Sequence, residues 1–170
     1  MKVRLFALAA SLLLTGSFAN MAGAQAASRQ VRGPIWVEFT TSPKALESIQ
    51  VKAPASGNLV ITATGTVNYE HAEGTAGNWC LQLSTASGNV GGCVTDAGSD
   101  SAIRDYIAAG VATTVPGFGT SAPYSIVRTY PVTAGETYTF FLNGYETGLT
   151  TTWLFQPSIT AVYTPDTLVP

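Results

Sequence analysis

The chain has 170 residues, 46% of them apolar and only 11% charged, with a formal net charge of −2 and a single histidine. One imidazole excludes a histidine-rich metal site, and the acidic excess excludes nucleic acid as a partner. With so few ion pairs available, solubility must rest on hydroxyls and backbone.

Lys2 and Arg4 precede an apolar run from Leu5 to Leu14, and small residues follow, including Ala22-Gly23-Ala24 and Ala24-Gln25-Ala26. This is the three-part pattern of a secretory signal, and the run is shorter than the ~20 residues a membrane-spanning helix needs. Residues 1–24 are expected to be a cleavable signal peptide, with Ala26 as the alternative cleavage point. Residues 25–170 are then a single exported domain without a transmembrane segment, in the periplasm, at the cell surface or in the medium. That remainder keeps six basic and ten acidic residues, a net charge near −4.

From residue 28 onward, apolar runs alternate with turn residues at close intervals, as in a chain of many short strands. A polar entry over residues 28–33 leads to an aromatic and β-branched run over 35–41 and a short strand over 48–52. After the turn Ala53-Pro54-Ala55-Ser56-Gly57, residues 58–67 form the clearest strand. In it Leu59, Ile61, Ala63 and Val67 share one face and three threonines populate the other, so one side is core and one is wet.

Cys80 and Cys93 in an exported chain are expected to form a structural disulfide. If they face each other across an antiparallel hairpin, Leu81 pairs with Gly92 and Leu83 with Val90. The turn then falls on Ala86-Ser87 or on residues 85–88. That register places Trp79, Leu81, Leu83, Val90 and Val94 on one face and Cys80, Gln82, Gly91 and Cys93 on the other. Farther along, residues 101–109 are the best candidate for a helix, and 115–123 read as a long exposed loop. Strands are expected over 124–132, 137–143, 151–155 and 158–164, with breaks at Ala134-Gly135, Asn143-Gly144 and Gln156-Pro157.

So many half-apolar strands cannot lie in one open sheet without exposing a large apolar face. The expected fold is all-β, a two-sheet β-sandwich of jelly-roll type with one disulfide hairpin. Tyr138, Phe140, Leu142, Ile159, Ala161 and Tyr163 are expected in its core. The segments VKAPASGNLVITATGTV, YPVTAGETYTFFLNG and SITAVYTP resemble small exported bacterial jelly-roll domains, distantly similar to the C1q/TNF-like fold. The resemblance implies binding or assembly, often as homo-oligomers, and no catalysis.

The residues that could carry chemistry are few. No Gly-x-Ser-x-Gly elbow accompanies His71, which reads as a solvated surface histidine. Glu70, Glu73, Asp96, Asp100, Asp105 and Glu146 read as solvated acids. Asp96, Asp100 and Asp105 are the residues that would hold Ca²⁺, but the twelve-residue loop pattern fails because Ile107 stands where its final Glu belongs. No metal or cofactor is therefore expected. Aromatic rings in a charge-poor exported sandwich suit stacking against sugar rings, which singles out Trp36, Tyr145 and Trp153, whereas Trp79 belongs to the core. The expected function is a non-catalytic exported domain that binds a carbohydrate or protein ligand or assembles at a surface. Two alternatives stand beside it: a hydrolase of cell-wall polymer using Glu70, His71 or Asp96, and a structural subunit of a surface filament.

Overall fold

The computed structural model of the protein describes residues 28–94, 102–112 and 119–165. Nine strands lie among the described residues: β1 (Ser28–Arg32), β2 (Trp36–Glu38), β3 (Lys44–Lys52), β4 (Gly57–Glu70), β5 (Gly77–Ser84), β6 (Ala102–Ile107), β7 (Thr120–Val132), β8 (Thr137–Thr147) and β9 (Thr151–Pro165). A single helical turn, Gly91–Val94, follows β5. The expected signal sequence lies outside the described residues, as do Asp96 and Asp100.

Every strand pair is antiparallel. One sheet runs β1-β9-β4-β7, with β2 also on β9, and the other runs β3-β8-β5-β6. β1 and β2 lie end to end on the same edge of β9, so they act as one interrupted strand. Counted that way, eight strands in chain order interleave as 1-8-3-6 and 2-7-4-5. This interleaving is the jelly roll.

The core forms where the inward positions of the two sheets meet. Leu59, Ile61, Ala63 and Val67 of β4 are buried there with Phe140 and Leu142 of β8 and Leu154, Ile159 and Ala161 of β9. Tyr163 joins them, and Tyr138 packs on the margin. Period-two alternation thus carries the apolar half of each strand inward. The signal that identifies strands 58–67, 137–143 and 158–164 in the sequence is the one that packs them.

The structure departs from the sequence reading where pairing is non-local. Cys80 and Cys93 are joined by a disulfide, but not across a hairpin. β5 is flanked by β6 on one edge and β8 on the other, so the chain after Ser84 cannot pair back onto it. Instead residues 85–94 cross the outer face of the second sheet. Val90 consequently packs with Cys80 and Cys93, on the opposite face from Trp79, Leu81 and Leu83 in the core.

Residues 102–107 are the strand β6 rather than a helix, because they complete the edge of the sheet beside β5. The Asn143-Gly144 pair lies inside β8. A Cβ on Gly144 would meet the side chains of Leu46 and Phe39 and the Cys80 carbonyl at 2.6 to 3.1 Å, so this glycine serves a close approach and not a turn. Pro123 lies within β7, which is an edge strand, where a missing N–H is tolerated. His71 is not a surface residue. It is 3% exposed, with one ring nitrogen on the Val111 carbonyl and the other on that of Thr75, closing the loop that follows β4.

Candidate functional site

The two outer faces of the sandwich differ. On the β3-β8-β5-β6 sheet, residues 85–94 are fastened down over the strands. Asn143 accepts from the Gly88 amide at 2.8 Å and donates to the Ala86 and Asn89 carbonyls at 2.9 and 3.0 Å. Gln82 accepts from the Gly92 amide at 2.9 Å, and the disulfide adds a covalent tie. Tyr145 packs half-buried against this cluster of Cys80, Val90 and Cys93.

The outer face of the other sheet carries residues in rows across its strands. One row is Glu38, Trp153, Asn68 and Ser121, and the next is Trp36, Phe155, Thr66 and Pro123. Leu154, between the two outward rings of β9, points into the core. Trp36 is 55% exposed, yet it is braced. Its ring meets Trp153 edge-on with centroids 6.3 Å apart and Phe155 at a tilt with centroids 4.6 Å apart. Aromatic pairs in such arrangements attract beyond their buried area, so the platform is preformed. Polar groups flank it: Ser121 donates to the Asn68 side chain, in the same row as Trp153.

Beside the platform the regular ladder breaks on both strands at once. Residues 33–35 interrupt β1 and β2, and on β9 Gln156 adopts φ 47°, a conformation uncommon for a non-glycine residue. The β4–β9 register shifts between Thr64 and Thr66. Two backbone bonds hold these irregularities together, from the Gly33 amide to the Pro157 carbonyl at 2.9 Å and from the Gln156 amide to the Ile35 carbonyl at 3.0 Å. A Cβ on Gly33 would lie 2.8 Å from the Pro157 side chain and closer still to the Glu47 carboxylate. Any larger residue here would have to displace the Glu47 carboxylate and press on the Pro157 ring. The result is a cavity of about 450 Å³ lined by Gln30, Arg32, Gly33, Ile35, Thr64, Gln156, Pro157 and Ser158, within the usual size range of small-ligand sites.

Of the sequence candidates, the fold brings Trp36 and Trp153 together and leaves Tyr145 on the opposite sheet. Phe155 and the cavity residues carried no signal of their own, since a bulge opposite a strand interruption is a non-local event. Glu70 stands on β4 opposite Thr151, while the His71 ring is enclosed by backbone. Asp105 lies on β6 opposite Trp79 and, after burial itself, helps hold the Tyr69 phenol above its ordinary range. Among the described residues no group of three or more His, Cys, Asp or Glu is placed to hold a metal ion, and no helix is long and apolar enough to cross a membrane.

No family model matches the chain, and no curated protein matches it in sequence. Solved structures overlap with it in part. The structure of the infectious bursal disease virus Gx strain aligns with 84% of this chain at 14% identity and a TM-score of 0.39. Dimeric latent PorU from Porphyromonas gingivalis aligns with 83% at 10% identity and 0.38. Eiger TNF from S. frugiperda aligns with 80% at 12% identity and 0.33, covering 96% of that chain. The aligned region spans a third of the viral chain and 14% of PorU. The jelly roll stands on the strand order above.

Proposed function

We propose that this protein is an exported, non-catalytic carbohydrate-binding module whose ligand lies across the outer face of the β1-β9-β4-β7 sheet. The observation that carries this reading is Trp36, more than half exposed while held in place by Trp153 and Phe155. A large ring kept in water by a rigid neighbourhood forgoes about 1.5 to 3 kcal/mol of burial, which a ligand with an apolar face recovers. The C–H face of a pyranose ring is such a ligand. Asn68, Ser121 and Thr66 stand beside the rings as hydrogen-bonding partners for its hydroxyls. The amino-terminal pattern and the disulfide support an exported address.

The test is to incubate the protein with insoluble and soluble polysaccharides and to follow retention and reducing-sugar release together. Retention without release is expected, with Trp36→Ala or Trp153→Ala lowering affinity roughly tenfold or more while the circular-dichroism spectrum stays that of the parent. Release of reducing sugar would establish the hydrolase instead.

A second reading has one specific observation behind it. Ile35, next to Trp36, is 61% exposed and offers a sugar no hydrogen bond, so the same patch suits a protein contact. If the patch binds protein in the form of a second copy, sedimentation shows concentration-dependent self-association that Ile35→Ser abolishes, with no retention on any glycan.

A further inference from the structure

The cavity beside the aromatic platform has a chemistry of its own. Its lining holds one cation, Arg32, and the neutral polar side chains Gln30, Thr64, Gln156 and Ser158, and no carboxylate. Glu47, whose carboxylate lies against Gly33, is not among the lining residues. Arg32 stands opposite Ser158 on β9, which stands opposite Thr64 on β4, so guanidinium and hydroxyls form a third row parallel to the two aromatic ones. Gln30 reinforces it by donating to the Ser158 hydroxyl at 2.8 Å. The Trp36–Phe155 row and this row are three residue steps apart along β9, on the order of 10 Å at strand rise. A chain of linked sugar rings stacked on Trp36 therefore runs directly into the cavity.

The platform's far end has the opposite sign. Glu38 projects beside Trp153, and Glu70 stands one row farther out on β4. The Trp153 end is thus acidic, while the side chains lining the cavity carry a single positive charge, in a chain whose charges are otherwise sparse.

We infer that the cavity is a subsite for an anionic sugar: the ligand is a uronic-acid-containing polysaccharide, held with a carboxylate on Arg32 and a neighbouring ring on Trp36. A guanidinium matches a planar carboxylate with two parallel hydrogen bonds. The neutral amide and hydroxyl groups around it suit a singly charged group rather than a doubly charged phosphate. The polarity fixes the direction of the chain, because a carboxylate at the Trp153 end would meet Glu38.

This inference rests on the carbohydrate-binding reading above, and one experiment separates the two. Polygalacturonate, alginate and hyaluronate are each titrated beside their carboxyl-reduced forms, which keep rings and linkages but lose the charge. At least one uronate should bind about tenfold more tightly than its reduced form, and the difference should shrink as salt rises. Arg32→Gln should erase that difference, while Arg32→Lys restores part of it. Trp36→Ala should weaken both forms. Equal binding of charged and reduced polymers, unaffected by Arg32→Gln but lost in Trp36→Ala, overturns the anionic subsite and leaves the platform standing. Stronger binding to a sulfated neutral polymer than to any uronate also overturns it. Failure of every polymer in both forms overturns the platform reading as well.

Discussion

Burial holds the Tyr124 phenol far above the ordinary tyrosine range, and the Glu47 carboxylate pushes it further. Tyr69 and Tyr130 are raised as well, first by burial in each case. An unfolded chain ionises its tyrosines near pH ~10, whereas these three keep their protons there when folded. Between the unfolded and native values the folded state binds more protons, so stability falls as pH rises. Their contribution is fully present below about pH 10 and is lost above it. The Tyr124 hydroxyl, moreover, is buried with no hydrogen-bond partner. Tyr124→Phe should therefore leave stability at neutral pH unchanged or raise it by up to about 1 kcal/mol. It should also flatten the loss of stability between about pH 9 and about pH 11, as read by urea denaturation at each pH.

At the scale of elements, the segment after β5 shows how a stretch without regular structure becomes part of a sandwich. Residues 85–94 have no strand partner, and their backbone groups are satisfied by side chains of the sheet beneath, chiefly Asn143 of β8 and Gln82 of β5. Asn143 is fully buried, so its three bonds are made away from water. Asn143→Ala should cost about 2 to 3 kcal/mol by urea denaturation. Asn143→Asp should cost more, because a carboxylate would then face the Ala86 and Asn89 carbonyls. On the other sheet, the edge strand β7 carries Pro123 and Pro131, which interrupt its row of donors and oppose the strand addition a filament subunit would need.

At the scale of the molecule, the described residues cover one outer face of the sandwich and leave the other open. The Cys80–Cys93 bond closes a span of 13 residues on the covered side, a constraint of about 3 kcal/mol in the chain-entropy account. Replacing both cysteines by alanine should lower the melting temperature by roughly 6–12 °C. Retention on polysaccharide below the transition should survive, because the aromatic platform lies on the other sheet. Loss of binding along with the disulfide would mean that the two faces are coupled through the core.

The strands and their inward faces were legible in the sequence because alternation is local: Leu59, Ile61 and Ala63 declare a core face whatever they pack against. The disulfide was legible too, since two cysteines behind a signal-like amino terminus have one simple pairing. What remained hidden depended on partners distant in the chain. Whether Cys93 sits in a strand or a helical turn depends on β6 and β8 having taken both edges of β5. Whether His71 is wet depends on the carbonyls of Val111 and Thr75. By itself the sequence determined a two-sided, apolar-cored β chain with exposed aromatic candidates. Only the tertiary structure decided which outer face is covered, and that Trp36, Trp153 and Phe155 meet beside Arg32, because strand register between β2, β9 and β4 is set by non-local pairing that no single strand encodes.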